Sequence, residues 1–378
     1  MNNVWTGSTL VAALVLVALA SREVRLKADP TEDHRRAPAS NIGGIRLQPD
    51  PAAPSRLSDT GLYERGSLKV DARNRAYSPQ YPLWSDGAHK QRWIFVPPGA
   101  QVDATDVDAW VFPVGTKFWK EFTFNGRRIE TRFLWRARDR GWVFASYRWN
   151  DDQSDATLAP VDGEAGVAEL APGRRHSIPS VEDCHACHDS ASAEVLGFNA
   201  LQLSTDRDPN AIHGEPLAPG MATLQTLLDE GVLKASRTDL LAHPPRIEAG
   251  TPRTRAVLGY LSTNCGVCHN GRTSLAELGM LLKQPSHPPS RSALRRAGGS
   301  VPNPALETTI GQPGTWRIPG KEPTSVRLAP GSTELSALLY RMKSRRPSSQ
   351  MPPLGSVLPD QEAIDVVTKW IEEDLAER

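Results

Sequence analysis

The sequence predicts an α+β fold, in which a β-rich, sandwich-like N-terminal domain is followed by an α-helical half. Three observations predict it. Seven of the ten tryptophans fall within residues 81–150, strand-length segments in that stretch are separated by short turn signals, and beyond Ser177 the apolar period lengthens from that of a strand to that of a helix.

Each element follows from a local pattern. Asn125-Gly126 is a strong hairpin signal, flanked by Lys117 to Phe124 and Arg127 to Arg136. Asp139-Arg140-Gly141 turns the chain again into Trp142 to Trp149, so three antiparallel strands follow in succession. Ile129, Thr131, Phe133 and Trp135 alternate with Glu130, Arg132, Leu134 and Arg136, which predicts one apolar face and one largely charged face. A β-sandwich or half-barrel fits. Farther on, Val195, Leu196, Leu224, Leu227 and Leu228 sit at helical spacings, as do Leu258, Leu261 and Cys265. A final helix from Asp360 to Leu375 carries Ile364, Val367 and Ile371 on one face, and residues 285–324 are Pro-rich and read as a loop insertion.

At the N-terminus, Leu10 to Ala20 form an unbroken apolar run ending in Ala18-Leu19-Ala20, an A-x-A cleavage pattern. The run is shorter than the roughly 20 residues that cross a bilayer, so a secretory signal is expected and no stable membrane span after its removal. The expected organisation is a signal peptide over 1–20, a flexible linker over 21–56, a β-rich domain over 57–170, a first cofactor region over 171–250 and a second over 251–378. Lys plus Arg number 44 against 43 Asp plus Glu, a balance that offers no global field for a polyanion and argues against nucleic-acid binding.

The four cysteines are the most informative residues. They fall in Cys184-His185-Ala186-Cys187-His188 and Cys265-Gly266-Val267-Cys268-His269, both C-x-x-C-H, the attachment signature of c-type haem. On a helical turn the two thiols and the following imidazole share a face, so the thiols can form thioethers with the vinyl groups while the histidine meets the iron. Two covalently attached haems use all four thiols. Structural zinc fits less well, because the interval between Cys187 and Cys265 exceeds that of a zinc ribbon and zinc does not require a histidine after each pair. Two disulfides within such short spacings are the other alternative, and that pairing is typical of redox enzymes. His185 reads as a solvated bystander. Ser180 with Asp183 predicts a capping box that starts a helix at the first motif. The iron ligands are thus expected to be His188 and His269, with cofactor contacts from Cys184, Cys187, Cys265 and Cys268.

A six-coordinate carrier needs a second axial ligand. Met351 is the first choice for the second haem, since it opens the loop Met351-Pro352-Pro353-Leu354-Gly355 before the last helix. Met342 and Met280 read as core. For the first haem, Met221, His176, His213 and His243 all stay open as candidates, as does a five-coordinate iron. In the segment around Trp84, Asp86, Lys90 and Arg92, a loop locked by aromatic packing and an Asp-Gly turn is favoured over a partner or ligand surface.

The segment from Thr254 through the second motif, the MPPLG loop and the closing helix at Trp370-Ile371 resembles a class I cytochrome c domain. That resemblance implies α-helical cytochrome c-type haem domains, Met351 as distal ligand, and crossing first and last helices with Gly259 and Tyr260 near Trp370. Residues 57 to 375 resemble a family of exported dihaem c-type proteins. The motifs that carry this are YPLWSDGA-x-K-x-RWI (Tyr81 to Ile94), ETR-x-L (Glu130 to Leu134), Y-x-W-N (Tyr147 to Asn150), IPS before the first C-x-x-C-H with LGF (Leu196 to Phe198) after it, YL-x-x-NC-x-x-CH (Tyr260 to His269) and LLYRM with QMPPLG (Leu338 to Gly355). The function expected is electron transfer by a periplasmic dihaem cytochrome c between redox partners, a dehydrogenase or an acceptor cytochrome. The rival is a dihaem peroxidase or oxidase with an open distal site on the first haem. A third class is an interaction module in which the β-rich region binds a partner or glycan.

Overall fold

The structure, a computed structural model, describes residues 52–138, 141–189, 191, 193–235, 239–286 and 303–376. The expected signal peptide, nearly all of the linker, Asp139-Arg140 of the second turn and 287–302 of the Pro-rich insertion lie outside the described residues. Among the described residues no helix is long and apolar enough to cross a membrane.

A six-stranded antiparallel sheet organises the molecule. Its members are β1 (Arg75–Ala76), β2 (His89–Phe95), β4 (Lys117–Phe124), β5 (Arg127–Arg138), β6 (Gly141–Trp149) and β7 (Ala156–Leu158), in the order β1-β2-β4-β5-β6-β7. The Asn125-Gly126 turn, with both residues at positive φ, joins β4 to β5 as the sequence predicts. Two small ribbons accompany the sheet: β3 (Val102–Asp103) pairs in parallel with β10 (Leu233–Lys234), and β8 (Glu164–Ala171) pairs with β9 (Arg174–Ile178).

Both faces of the sheet are covered. On one, Trp93, Trp119, Phe133, Ala145 and Tyr147 pack against Leu57, Leu62 and Tyr63 of the N-terminal segment, and Trp119 Nε1 donates to Thr60 Oγ1 at 2.9 Å. Burying such a ring completely contributes about 1.5–3 kcal/mol. On the other, Ile94 and Phe118 pack with Phe198, Leu203, Leu224 and Leu227 from beyond the sheet.

The helices are short. They are α1 (Val181–His188), α2 (Leu224–Asp229), α3 (Pro252–Asn264), α4 (Pro304–Glu307), α5 (Ala337–Lys343) and α6 (Gln361–Lys369), the last continued by a π-helical turn, Trp370–Asp374. Asp360 caps α6, and Ile364, Val367 and Ile371 are buried on the face that packs against Ala256, Val257 and Tyr260 of α3. Trp370 Nε1 donates to Thr254 Oγ1 at 3.0 Å. Gly259 meets a different neighbour: a Cβ there would lie 2.1 Å from Tyr81 Cε1, so the close approach is to the YPLW segment.

Two expectations are corrected. The β-rich region is not a sandwich: one sheet is covered by the N-terminal segment and by the C-terminal half, so no second large sheet is needed. Nor are there α-helical cytochrome c-type haem domains. Among the described residues the longest helix, α3, has 13 residues, and the turns and loops between the helices carry glycines at positive φ, Gly197, Gly220, Gly231, Gly271 and Gly311 among them. The helical spacing of Leu258, Leu261 and Cys265 describes α3 alone, whereas Val195 and Leu196 lie in turns. Contacts also cross the expected boundaries at 170/171 and 250/251, and Asp50–Arg378 form one compact unit.

Candidate haem-attachment sites

The first C-x-x-C-H lies on α1. Ser180 accepts from the Asp183 amide at 3.0 Å while the Asp183 carboxylate accepts from the Ser180 amide at 3.0 Å, the capping box that the sequence predicts. Cys184 and Cys187 are therefore in the second turn, and His188 closes the helix. The His188 ring lies 4.8 Å from Phe144 of β6, and its Nδ1 is hydrogen-bonded to the Glu194 carbonyl. That bond makes Nδ1 the donor and leaves the Nε2 lone pair for a metal. Burial, the first cause, and the nearby Arg132 and Lys120 charges bring the imidazole down to about 4, so it is neutral at pH 7. His185 is exposed and pairs with Asp189 at 3.0 Å, consistent with a bystander.

The second motif follows α3. Cys265 caps the helix, its amide donating to Leu261 O at 2.9 Å, and the His269 amide donates to Cys265 O at 2.9 Å, so one further turn carries the motif. Gly266 is required by packing, because a Cβ would lie 2.4 Å from Ser262 O and 2.9 Å from Lys283 Cα. His269 is buried, with Nδ1 lacking a hydrogen-bond partner. Burial, with Arg341 and Arg327, lowers its pKa. Leu282 N donates to its carbonyl at 2.8 Å and holds the backbone from the other side.

All four thiols are free and partly buried. Burial pushes Cys184 up to about 11 and Cys265 up to about 12, and it raises Cys187 and Cys268 as well. A C-x-x-C built for thiolate redox chemistry has its pKa lowered instead, so these surroundings do not favour that alternative. At Cys187 burial is the main cause of the rise, and Cys268 of the second motif adds to it. Among the described residues no three His, Cys, Asp or Glu side chains are grouped to hold a metal ion. Neutral imidazoles, protonated thiols and an available His188 Nε2 fit haem c.

The candidate distal ligands separate clearly. His176 Nε2 meets the Glu130 carboxylate at 2.9 Å. His213 is stacked on Trp84 at 4.9 Å and is held through Nε2 by Asp360 at 2.8 Å and through Nδ1 by Glu362 at 3.2 Å. His243 is exposed, and Met221 sulfur accepts from Ala218 N at 3.4 Å in an exposed turn. Met342 is in the core, and Met280 packs beside the clusters that Cys265 also joins. Met351 is half-buried, its amide donating at 3.1 Å to the carbonyl of Arg341, a residue whose charge is felt at His269.

The YPLWSDGA segment is a strut. Trp84 N donates to Asn264 Oδ1 at 2.8 Å, next to Cys265, while Asp86 Oδ1 accepts from Val357 N at 2.9 Å and Leu358 N at 2.8 Å, just past the MPPLG loop. Lys90 and Arg92 continue it into β2, where both are buried.

Sequence reasoning undervalued one group. The charged face of β5 is covered by the C-terminal half: Glu130, 0% exposed, accepts from Arg132 Nε at 2.7 Å and Nη2 at 3.2 Å as well as bonding His176. The signal was present in the alternation of β5, but alternation does not say what lies over a face. No family model matches the chain, and neither a curated protein nor a solved structure does. The likeness to exported dihaem proteins rests on the motifs.

Proposed function

We propose that the protein is an exported, periplasmic dihaem c-type electron carrier, with one haem attached at Cys184 and Cys187 under His188 and the other at Cys265 and Cys268 under His269. The observation that carries it is the pair of C-x-x-C-H motifs, the first on a capped helix with His188 Nδ1 tied to the Glu194 carbonyl and its Nε2 left for a metal. Haem supplies reversible one-electron exchange. The chain's own residues hold neutral imidazoles and fix the orientation of His188 through Glu194. Met351 is assigned as distal ligand on the His269 side, on the strength of its loop's attachment to Arg341. The partners are redox proteins, a dehydrogenase or an acceptor cytochrome.

One observation favours a second reading, a dihaem peroxidase or oxidase. His176 and His213 are engaged by carboxylates, and His243 and Met221 lie in exposed settings, so nothing among the four candidates is poised over His188. The test is maturation in an export-competent host with c-type haem attachment, followed by mass determination under denaturing conditions and EPR. Two covalent haems support the reading, and zinc without haem overturns it. Two low-spin signals favour the carrier, whereas a high-spin ferric signal favours the enzyme. Cys184→Ala with Cys187→Ala should leave one haem, and Cys265→Ala with Cys268→Ala should leave the other.

A further inference from the structure

The face of the sheet toward α1 has two zones. Ile94, Phe118 and Leu134 belong to the apolar core, while the adjoining ladder rows are charged. Register places Arg92 opposite Lys120, Lys120 opposite Arg132, and Arg132 opposite Ser146, so four neighbouring strands present these side chains on one face. Lys90 lies on the same face of β2, two residues from Arg92.

Charge on this face does not balance. Glu130 is committed to Arg132 and His176, and Glu215 accepts from Arg92 Nη1 at 3.1 Å and from Ser78 Oγ at 3.2 Å. Lys90 Nζ donates to the Leu83 carbonyl at 2.8 Å, and burial, only partly offset by the Glu215 and Asp360 charges, brings its pKa down to about 8. Among the described residues no carboxylate accepts from Lys120 Nζ, which lies 4.8 Å from the centre of the Phe122 ring and whose pKa is driven well down by burial and then by Arg92, Lys90 and Arg132. Two polar groups of the row are buried without partners: Arg92 Nη2, on a residue 5% exposed, and Ser146 Oγ, on a residue 7% exposed. Unpaired donors on buried residues are destabilising until an acceptor meets them, and a bound anion would favour the charged form of the two lysines.

The first attachment motif adjoins this face. His188 and His185 rest on Phe144, the β6 neighbour of Ser146 on the same face, and Arg132 is in electrostatic contact with both Cys184 and Cys187. We propose that Arg92, Lys120 and Ser146, with Lys90 at the edge, form a carboxylate-binding wall, and that the carboxylates it takes are the propionates of the haem attached at Cys184 and Cys187. The proposal rests on the dihaem reading. Haem carries two propionates, and attachment at these cysteines would bring them to the neighbourhood of this face, where Arg92 Nη2 and Ser146 Oγ lack partners. Charge-assisted hydrogen bonds to carboxylate are the interaction that Arg92 Nη2 lacks.

The test uses the full chain produced without haem attachment, titrated with iron mesoporphyrin IX and with its dimethyl ester. Neither probe has vinyl groups, so neither bonds to the thiols. At least a tenfold preference for the free acid, abolished by Lys120→Met, supports the wall. Equal affinity for acid and ester overturns it. Succinate binding to a chain that shows no preference between the porphyrins assigns the face to a free carboxylate and overturns the haem assignment. A porphyrin preference in a chain that never acquires covalent haem leaves the wall standing and refutes attachment. If the haem-free chain does not fold, the matured protein supplies the second measurement: the reduction potential of the haem under His188 should be flat from pH 5 to 8 and become pH-dependent in Lys120→Met, as its propionates titrate in that range. The same pH profile in both proteins refutes the proposal.

Discussion

Glu130→Gln removes one charge from the centre of the sheet without changing the side chain's shape. In the parent, burial alone would raise the Glu130 pKa, but the Arg132 charge and the hydrogen bonds from His176 and Arg132 outweigh it and bring the carboxyl down from 4.5 to about 2. At about 1.4 kcal/mol per unit, that difference corresponds to about 3 kcal/mol of stability at pH 7, at the lower end of the 3–5 kcal/mol lost when one partner of a buried pair is removed. Because the folded-state pKa is depressed, this contribution is complete above the unfolded value near 4.5 and disappears as pH falls toward 2. Urea denaturation at pH 7 should therefore show Glu130→Gln about 3 kcal/mol less stable, with a melting temperature lower by roughly 6 °C at the ~2 °C per kcal/mol of a large domain. The gap should narrow steadily between pH 4.5 and pH 2. A loss below about 1 kcal/mol at pH 7, or one that does not change with pH, would mean that the Glu130 charge does not stabilise the fold.

Three other outcomes are expected. Gly259→Ala should cost about 1–3 kcal/mol or more, since the methyl would overlap Tyr81, and Tyr81→Leu should recover part of it in a double-mutant cycle; full additivity would deny the contact. A chain starting at Ala171 should fail to give a cooperative unfolding transition or protease resistance, because it lacks Phe144 against His188 and Asp86 on the loop at Val357. Met351→His should keep the iron under His269 low-spin and lower its potential, and Met351→Ala should admit cyanide, with little change at the iron under His188; an unaltered ferric thioether band in Met351→Ala would transfer the role to Met280 or Met342.

Much of the sheet was legible because its determinants are local. Asn125-Gly126 sets a turn, and Phe133 and Trp135 alternate with Arg132 and Leu134 within a single strand. The capping of α1 by Ser180 and Asp183 is local as well. What was not legible depends on distant partners. The alternation places Glu130 and Arg132 on a charged face, which the C-terminal half covers, and nothing within β5 names that cover. The helical haem domains were overestimated for the opposite reason: α3 is locally well marked by Thr251, Pro252 and its apolar spacing, but one convincing helix says little about the turns that follow. At the candidate sites, the C-x-x-C-H spacing could be read directly, while the engagement of His176 and His213 by acids 46 and 147 residues away could not.

The Asp86 strut bears on the order of assembly. Its acceptors are ready as soon as the first quarter of the chain has been made, yet the amides they bind, those of Val357 and Leu358, are 271 and 272 residues downstream. Closing so long a loop costs entropy before any contact repays it, and contacts of this separation form late. Until then the sheet and the segment after Met351 remain apart, and the thiols between them are open to solvent and to any enzyme that must reach them. On the proposed dihaem reading, covalent attachment would belong to the interval before closure, and a variant that tightened the Asp86 clasp too early would be expected to trap unmodified cysteines inside a folded protein.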